Sequence, residues 1–201
     1  MAITTNIRMF AAIIDLLISM LSFSAAAYPP DFTGSLGNFM KILNTTDRIW
    51  LYNRTYNNHG HECLYLKTES IKQLEYSFKQ YYIDNKGKQH EHNLKGKLAM
   101  ETKLGGASLT VTGASEDGTS IKYILLQEKL QHGCFALYFT TSAEDHKQVQ
   151  RCQLYIPDSG IKEPVQDCLD LYSSYCSQYL KESTDGGQVV YSDKCQNLQG
   201  C

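Results

Sequence analysis

The residues of this chain that could do chemistry are its cysteines, two histidine pairs and several paired carboxylates. His59 and His61 are two residues apart, as are His90 and His92, so each pair would share one face of a strand. Neither pair has an acid or a cysteine at a spacing that completes a metal site. We therefore expect surface histidines in hairpins and no bound metal.

The paired carboxylates also lack the context that catalysis needs. Glu116 and Asp117, like Glu144 and Asp145, are in polar stretches that predict solvated turns. The sequence contains no G-x-S-x-G elbow, no H-E-x-x-H helix and no phosphate-binding glycine loop. We expect no catalytic residues, no cofactor and no enzymatic activity.

The N-terminus has the pattern of a secretory signal peptide. An apolar run from Phe10 to Phe23 follows Arg8, and residues 25–27 are small alanines. Residues 1–27 are therefore predicted to be removed, and residues 28–201 to form one domain. All seven cysteines follow the cleavage point, which indicates disulfide bonds in a secreted protein. Sequons at Asn44 and Asn53 are candidate glycosylation sites.

Composition excludes two classes of partner. The net charge is −2 with acids and bases interspersed, so no basic surface for nucleic acid is expected. No second apolar stretch is long enough to span a membrane. The 14 tyrosines and 7 phenylalanines instead suit strands around a cavity with polar edges.

Most of the chain consists of short segments in which apolar and polar residues alternate. Turn residues separate these segments, as at the hairpin turn predicted at residues 84–87. This regular spacing is typical of an up-and-down barrel or a sandwich. After Pro164, apolar residues recur at three- and four-residue steps and predict a helix over about 165–182. A helical turn is expected at 35–43. The predicted strands are 48–56, 62–68, 73–83, 89–101, 107–114, 119–128, 133–141 and 150–156.

Alternation in the first predicted strand would place Trp50, Tyr52, Arg54 and Tyr56 on one face. Asn53 would then point outward, where a glycan would not block the interior.

Several motifs together resemble the tick salivary lipocalins, the family that contains the histamine-binding proteins. The matching segments are Trp50 to Tyr56 followed by Cys63, His132 to Tyr138, Cys152-Gln153-Leu154-Tyr155, Cys168-Leu169 and Cys195. The resemblance covers nearly all of the predicted mature chain. It implies an all-β fold with one C-terminal helix: an eight-stranded antiparallel lipocalin-type barrel, preceded by a short helical turn.

The resemblance also implies disulfides Cys63–Cys195 and Cys134–Cys168. If Gln153 faces inward as it does in the family, Cys152 faces outward, toward the helix. Cys176 is about two helical turns beyond Cys168 and so lies on nearly the same helix face. A Cys152–Cys176 bridge is therefore reasonable, and it leaves Cys201 free. Pairing of Cys63 with Cys201, with Cys195 free, stays open.

The function implied by the resemblance is sequestration of a small host mediator by a secreted monomer. Amine-binding relatives carry acids where this chain has Phe135 and Gln153, so we expect an apolar carboxylate, such as a leukotriene or fatty acid, bound by Arg54. The alternatives are histamine or another biogenic amine, with Glu101 or Glu128 replacing the missing acids, and a host plasma protein bound by the outer surface. Arg54 could instead pair with Asp47 or Glu62. The expected interior residues are Tyr52, Arg54, Tyr56, Tyr76, Phe78, Tyr123, Phe135, Leu137, Phe139, Gln153 and Tyr155.

Overall fold

The computed structural model describes residues 34–101, 106–142, 148–180 and 186–198. The predicted signal peptide, Glu144, Asp145 and Cys201 are outside these residues. In chain order the elements are α1 Leu36–Leu43, β1 Arg48–Arg54, β2 Glu62–Lys72, β3 Glu75–Ile83, β4 Gln89–Met100, β5 Ala107–Ser115, β6 Gly118–Lys129, β7 Cys134–Ser142, β8 Gln148–Pro157, α2 Asp158–Ile161, α3 Gln166–Leu180, β9 Gln188–Val189 and a short 3-10 helix, Asp193–Asn197. No helix within these ranges is long and apolar enough to cross a membrane.

Strands β1 to β8 form a closed antiparallel barrel in which each strand pairs with its neighbours in sequence. Strand β1 closes the barrel, because Trp50 is opposite Tyr65 of β2 and Ile156 of β8. The eight predicted strands and the C-terminal helix are thus confirmed. The main difference in bounds is at the β2–β3 turn, where β2 continues to Lys72 and Gln73 turns with a φ of 56°.

A bulge in β1 corrects the predicted alternation of its side chains. The pairing with β8 shifts register between Leu51 and Asn53, so Leu51 and Arg54 both face the interior. Trp50 and Tyr52 face outward, where both contact Tyr191 of the C-terminal tail. Tyr52 is therefore not an interior residue, and its assignment to the barrel interior was wrong.

Helix α1 covers one end of the barrel, which we call the helix end. The Ser35 hydroxyl accepts a hydrogen bond from the Asn38 backbone and caps the helix. Phe39 is fully buried and packs edge-on against Phe135 of β7, with ring centroids 5.3 Å apart. The Thr68 hydroxyl donates to the carbonyl of Leu43 at 2.7 Å. The inner core of the barrel is therefore continuous with α1.

Helix α3 packs outside β6, β7 and β8 and is joined to the barrel by two disulfides. Cys134–Cys168 and Cys152–Cys176 lie in one apolar cluster between helix and sheet. The third bridge joins β2 to the C-terminal tail. It is Cys63–Cys195, not the alternative Cys63–Cys201. The structure thus contains the three bridges that the sequence suggested.

The two sequons differ in accessibility. Asn44 is exposed after the end of α1. Asn53 is half-buried beside β9, and its side-chain oxygen is buried without a hydrogen-bond partner among the described residues. Glycosylation stays a prediction for both, and the exposure favours Asn44.

The disulfides should differ in their contribution to stability. The Cys63–Cys195 bridge spans 132 residues and the Cys152–Cys176 bridge spans 24. Loop-closure entropy predicts that removal of the first, as C63A/C195A, lowers the free energy of unfolding by about 5 kcal/mol, against about 3.5 kcal/mol for C152A/C176A. Guanidinium unfolding of the two variants measures this difference. An equal or larger loss for C152A/C176A would contradict the entropic account.

Candidate functional site: a polar cluster at one end of the barrel

The end of the barrel opposite α1 carries the β1–β2, β3–β4, β5–β6 and β7–β8 connections, and we call it the polar end. Buried charged and polar side chains gather here instead of the aliphatic residues that fill the rest of the interior. The polar cluster is defined by Arg54, Tyr56, His61, Gln80, Glu116, Asp117, Tyr123, Gln153, Tyr155 and Gln188.

Its central contact is an ion pair between Arg54 and Glu116, whose side chains are both 0% exposed. One terminal nitrogen of Arg54 donates to both Glu116 oxygens, at 2.8 and 3.1 Å. The other donates to the His61 carbonyl at 3.1 Å and to the Gln188 side chain, which also accepts from the Arg54 Nε. The guanidinium is thus enclosed by acceptors, which compensate its loss of water. Neither Asp47 nor Glu62, its expected partners, contacts it: they bind Ser159 and Lys194.

The β5–β6 turn brings Glu116 inside because its backbone is held from the interior. The Glu116 amide donates to the Gln80 side chain at 2.7 Å, and its carbonyl accepts from Asn58 at 3.0 Å. Gly113 and Gly118, on either side, have φ values of 115° and 123°, which other residues rarely adopt. The β5–β6 register also shifts beside Gly113, and such a bulge bends the strand. The prediction of a solvated turn was therefore wrong for Glu116, whose side chain is 0% exposed, whereas Asp117 is half-buried.

Asp117 is the second carboxylate that the turn places in the barrel. One of its oxygens accepts a hydrogen bond from the Tyr56 hydroxyl. The other accepts from the Tyr123 hydroxyl at 2.8 Å and from the Gln153 amide at 2.9 Å. Tyr155 donates in turn to the Gln153 oxygen at 3.0 Å. Asp117 is thus bound by neutral donors, and within the described ranges no arginine or lysine pairs with it.

The two carboxylates shift the pKa values of the groups around them, and Arg54 compensates the charge of Glu116. Burial and then the charge of Asp117 raise the pKa values of Tyr123 and Tyr155 well above that of a free tyrosine. Burial and then Asp117 also raise the pKa of Glu116 to about 7, against the opposing effect of Arg54. A cation placed near both acids would therefore be stabilised, and would favour ionised Glu116.

The histidines line the entrance to this cluster rather than the outer surface. His90 is opposite Tyr82 on the inner face of β4, and the two rings stack 4.9 Å apart. The ring of His61 also stacks on Tyr82, with centroids 4.7 Å apart, and its Nδ1 is 3.0 Å from Glu116. Burial and then Arg54 lower the pKa of His61, which favours neutral imidazole with an Nδ1–H donor.

The sequence predicted surface histidines in both pairs. This prediction is wrong for His90 and His92, which are half-buried on the inner face, and correct for His59, which is exposed. Within the described part of the chain, no group of histidine, cysteine and acidic side chains is arranged to hold a metal ion.

Among the described residues, side chains occupy most of the interior beyond the cluster. A cavity of about 20 Å³ remains, which has room for one water molecule. Its walls are apolar except at the polar end, where Gln80, Ser115, Tyr123 and Tyr155 line it. A larger groove of about 470 Å³ is on the outer surface near α1, between Lys41, Leu130 and Glu163. We place the site inside the barrel, because the buried charges are there.

The structure brings together most of the predicted interior residues. Arg54, Tyr56, Tyr123, Gln153 and Tyr155 belong to the polar cluster, and the aromatic and aliphatic members face the apolar core. These apolar members are Tyr76, Phe78, Phe135, Leu137 and Phe139.

The acids suggested as replacements in an amine site are elsewhere. Glu101 pairs with Lys122, and Glu128 binds Ser35 and Asn38 near α1.

Sequence reasoning missed Arg151 and five members of the polar cluster, which are His61, Gln80, Glu116, Asp117 and Gln188. Arg151 could have been found, since it is two residues before the inward Gln153 on the same strand. No pattern in the sequence indicated the inward turn of Glu116 and Asp117.

Comparison with known proteins agrees with this architecture. The family model described as tick histamine binding protein matches residues 31–197. Japanin from Rhipicephalus appendiculatus, solved bound to cholesterol, superposes with a TM-score of 0.50 at 10% identity over 75% of this chain and 96% of japanin. Insecticyanin from the tobacco hornworm Manduca sexta gives a TM-score of 0.51 at 14% identity, over 84% of this chain and 88% of insecticyanin. No curated protein matches the chain in sequence.

The two structural relatives share the fold at low identity, whereas the family model covers most of the chain. With its closed eight-stranded barrel and external helix, the chain belongs to the tick histamine-binding protein family of lipocalins.

Proposed function

We propose that this protein sequesters a small organic amine, of the kind that histamine represents, in the polar end of its barrel. The observation that carries the proposal is Asp117, a carboxylate inside the barrel whose partners are all neutral. Asp117 is half-buried, and a carboxylate in such a place is stabilised most by a cation at hydrogen-bonding distance. A ligand ammonium can supply the charge that the described residues do not.

The ligand would exchange hydrogen bonds with the cluster rather than enter an empty space. Its ammonium would replace donors such as the Gln153 amide on Asp117. The hydroxyls of Tyr56 and Tyr123 both reach this carboxylate, so the ammonium would lie beside two hydroxyl oxygens that can accept hydrogen bonds from it.

Two features favour an amine over the apolar carboxylate that the sequence suggested. That preference relied on Arg54 as an available cation, and Glu116 neutralises Arg54 within the barrel. A long acyl chain would also have to displace large core side chains such as Phe78 and Phe135, since the cavity is close to 20 Å³. A small amine displaces fewer of them.

The name of the family supports the same ligand class, because its model is described by histamine binding. The missing acids at Phe135 and Gln153 do not count against an amine if Glu116 and Asp117 supply carboxylates from the β5–β6 turn. Thus the charge that relatives carry on two strands would be carried here by one turn.

We further propose that binding takes place outside the cell and reduces a host mediator during feeding. The N-terminal pattern of a charged residue, an apolar run and small residues supports secretion. Three disulfides are typical of proteins in oxidising compartments.

The substitution Asp117→Asn tests the proposal. It keeps the shape of the side chain and removes its charge. Calorimetric titration should therefore show that histamine affinity falls by about ten- to a hundred-fold, which is the usual contribution of a charge-assisted hydrogen bond to binding. Asp170→Asn on the exposed face of α3 is the matched control and should bind like the unmodified protein. Unchanged histamine affinity in Asp117→Asn, or tighter binding of leukotriene B4 than of histamine, contradicts the proposal.

Amine affinity should also depend on pH through Glu116. With a pKa of about 7, Glu116 is mostly neutral at pH 6 and mostly ionised at pH 8. Serotonin keeps its ammonium over this range, as alkyl amines with pKa values near 10 do. Its affinity should rise roughly ten-fold from pH 6 to pH 8, with proton release on binding below pH 7.

The rise should be lost in Glu116→Gln and kept in Glu75→Gln, an exposed residue of β3. An equal rise in both variants would assign the pH dependence to another group.

A further inference from the structure

Arg151 is a second arginine on the inner face of the barrel, near the polar end. It is on β8 two residues before Gln153, so both point to the same side, and it is directly opposite the buried Phe139 of β7. An arginine at an inward position is costly unless acceptors or charges compensate it.

The compensation of Arg151 is incomplete. Its guanidinium is 4.3 Å above the ring of Tyr56, which gives a cation–π contact. Its Nε is buried and has no hydrogen-bond partner among the described residues. Across the same ranges no acid forms an ion pair with it. Arg151 therefore has a buried donor available for an acceptor that a ligand could bring.

Tyr56 connects this donor to the proposed ammonium position. Its hydroxyl binds Asp117, and the guanidinium carbons of Arg151 and Arg54 are 4.3 and 5.0 Å from its ring centroid. Phe139 packs edge-on against the Tyr56 ring, with centroids 5.9 Å apart. A small aromatic amine bound beside Tyr56 would thus have the carboxylate of Asp117 at one end and Arg151 at the other.

The two ends of such a ligand must differ in chemistry. An ammonium beside Arg151 would be repelled, whereas a hydroxyl or a neutral ring nitrogen would accept a hydrogen bond from it. An amine that places only carbon atoms beside Arg151 leaves its Nε donor without a hydrogen-bond partner. Binding sites with such an unpaired buried donor discriminate strongly against ligands that lack an acceptor.

We propose that Arg151 is a specificity-determining residue which selects amines that carry a hydrogen-bond acceptor at the end opposite the ammonium. The inference rests on the proposed function and adds the orientation and chemical class of the ligand.

Tyramine and phenethylamine test the inference because they differ by one hydroxyl. Calorimetry on the full chain should show that tyramine binds about ten- to a hundred-fold more tightly, as expected for a hydrogen bond to a charged donor. In Arg151→Met the preference should disappear. Lys97→Met, an exposed position on β4, is the control and should keep it.

Arg151→Gln provides a second neutral variant with a shorter donor group, should Arg151→Met unfold, and it should lower the preference by at least several-fold. Thermal unfolding of each variant establishes that it is folded before titration.

Equal binding of the two amines by the unmodified protein overturns the role of Arg151 and leaves the amine proposal intact. A tyramine preference that persists in both Arg151 variants overturns it as well, because another residue must then accept or donate to the hydroxyl. Failure of both amines to bind overturns the proposed function and this inference together.

Discussion

The buried ion pair between Arg54 and Glu116 is the contact on which the site depends. It joins β1 to the β5–β6 turn across the barrel and is enclosed at 0% exposure. A charge in such a place needs partners for every donor, and the carbonyl of His61 and the side chain of Gln188 provide them. Removing one partner would leave the other charge buried and would cost several kcal/mol, typically about 3–5. The turn is therefore fixed in the inward position.

Asp117 is inside the barrel as a consequence of this ion pair. The residue follows Glu116 in the turn, and the same backbone contacts to Gln80 and Asn58 that hold Glu116 also hold it. Its hydrogen bonds to Tyr56, Tyr123 and Gln153 keep the carboxylate oriented before any ligand arrives. Preorganised acceptors of this kind reduce the free energy that binding would spend on ordering side chains. Both carboxylates of this end thus come from one turn, whereas its arginines come from the strands β1 and β8.

The sequence was sufficient to predict the fold but not the site. Strand alternation and the helical period after Pro164 are repeated signals, so the eight strands and the helix could be inferred. The pairs Cys63–Cys195 and Cys134–Cys168 were implied by the family resemblance, and the choice between Cys195 and Cys201 was open until the structure. The face of Tyr52 could not, because a bulge between Leu51 and Asn53 interrupts the alternation and nothing in RIWLYNR marks it. The burial of Glu116 depends on Arg54, which is 62 residues earlier. A turn rich in acidic residues is predicted to be solvated unless its distant partner, here Arg54, is known.

The most direct test of the account is a crystal structure of the protein with bound histamine at pH 8. We expect the ligand ammonium within hydrogen-bonding distance of Asp117, with the Gln153 amide displaced and the Arg54–Glu116 pair retained. Histamine in the outer groove between Lys41 and Glu163, with the Tyr56, Tyr123 and Gln153 donors still on Asp117, would contradict the central claim.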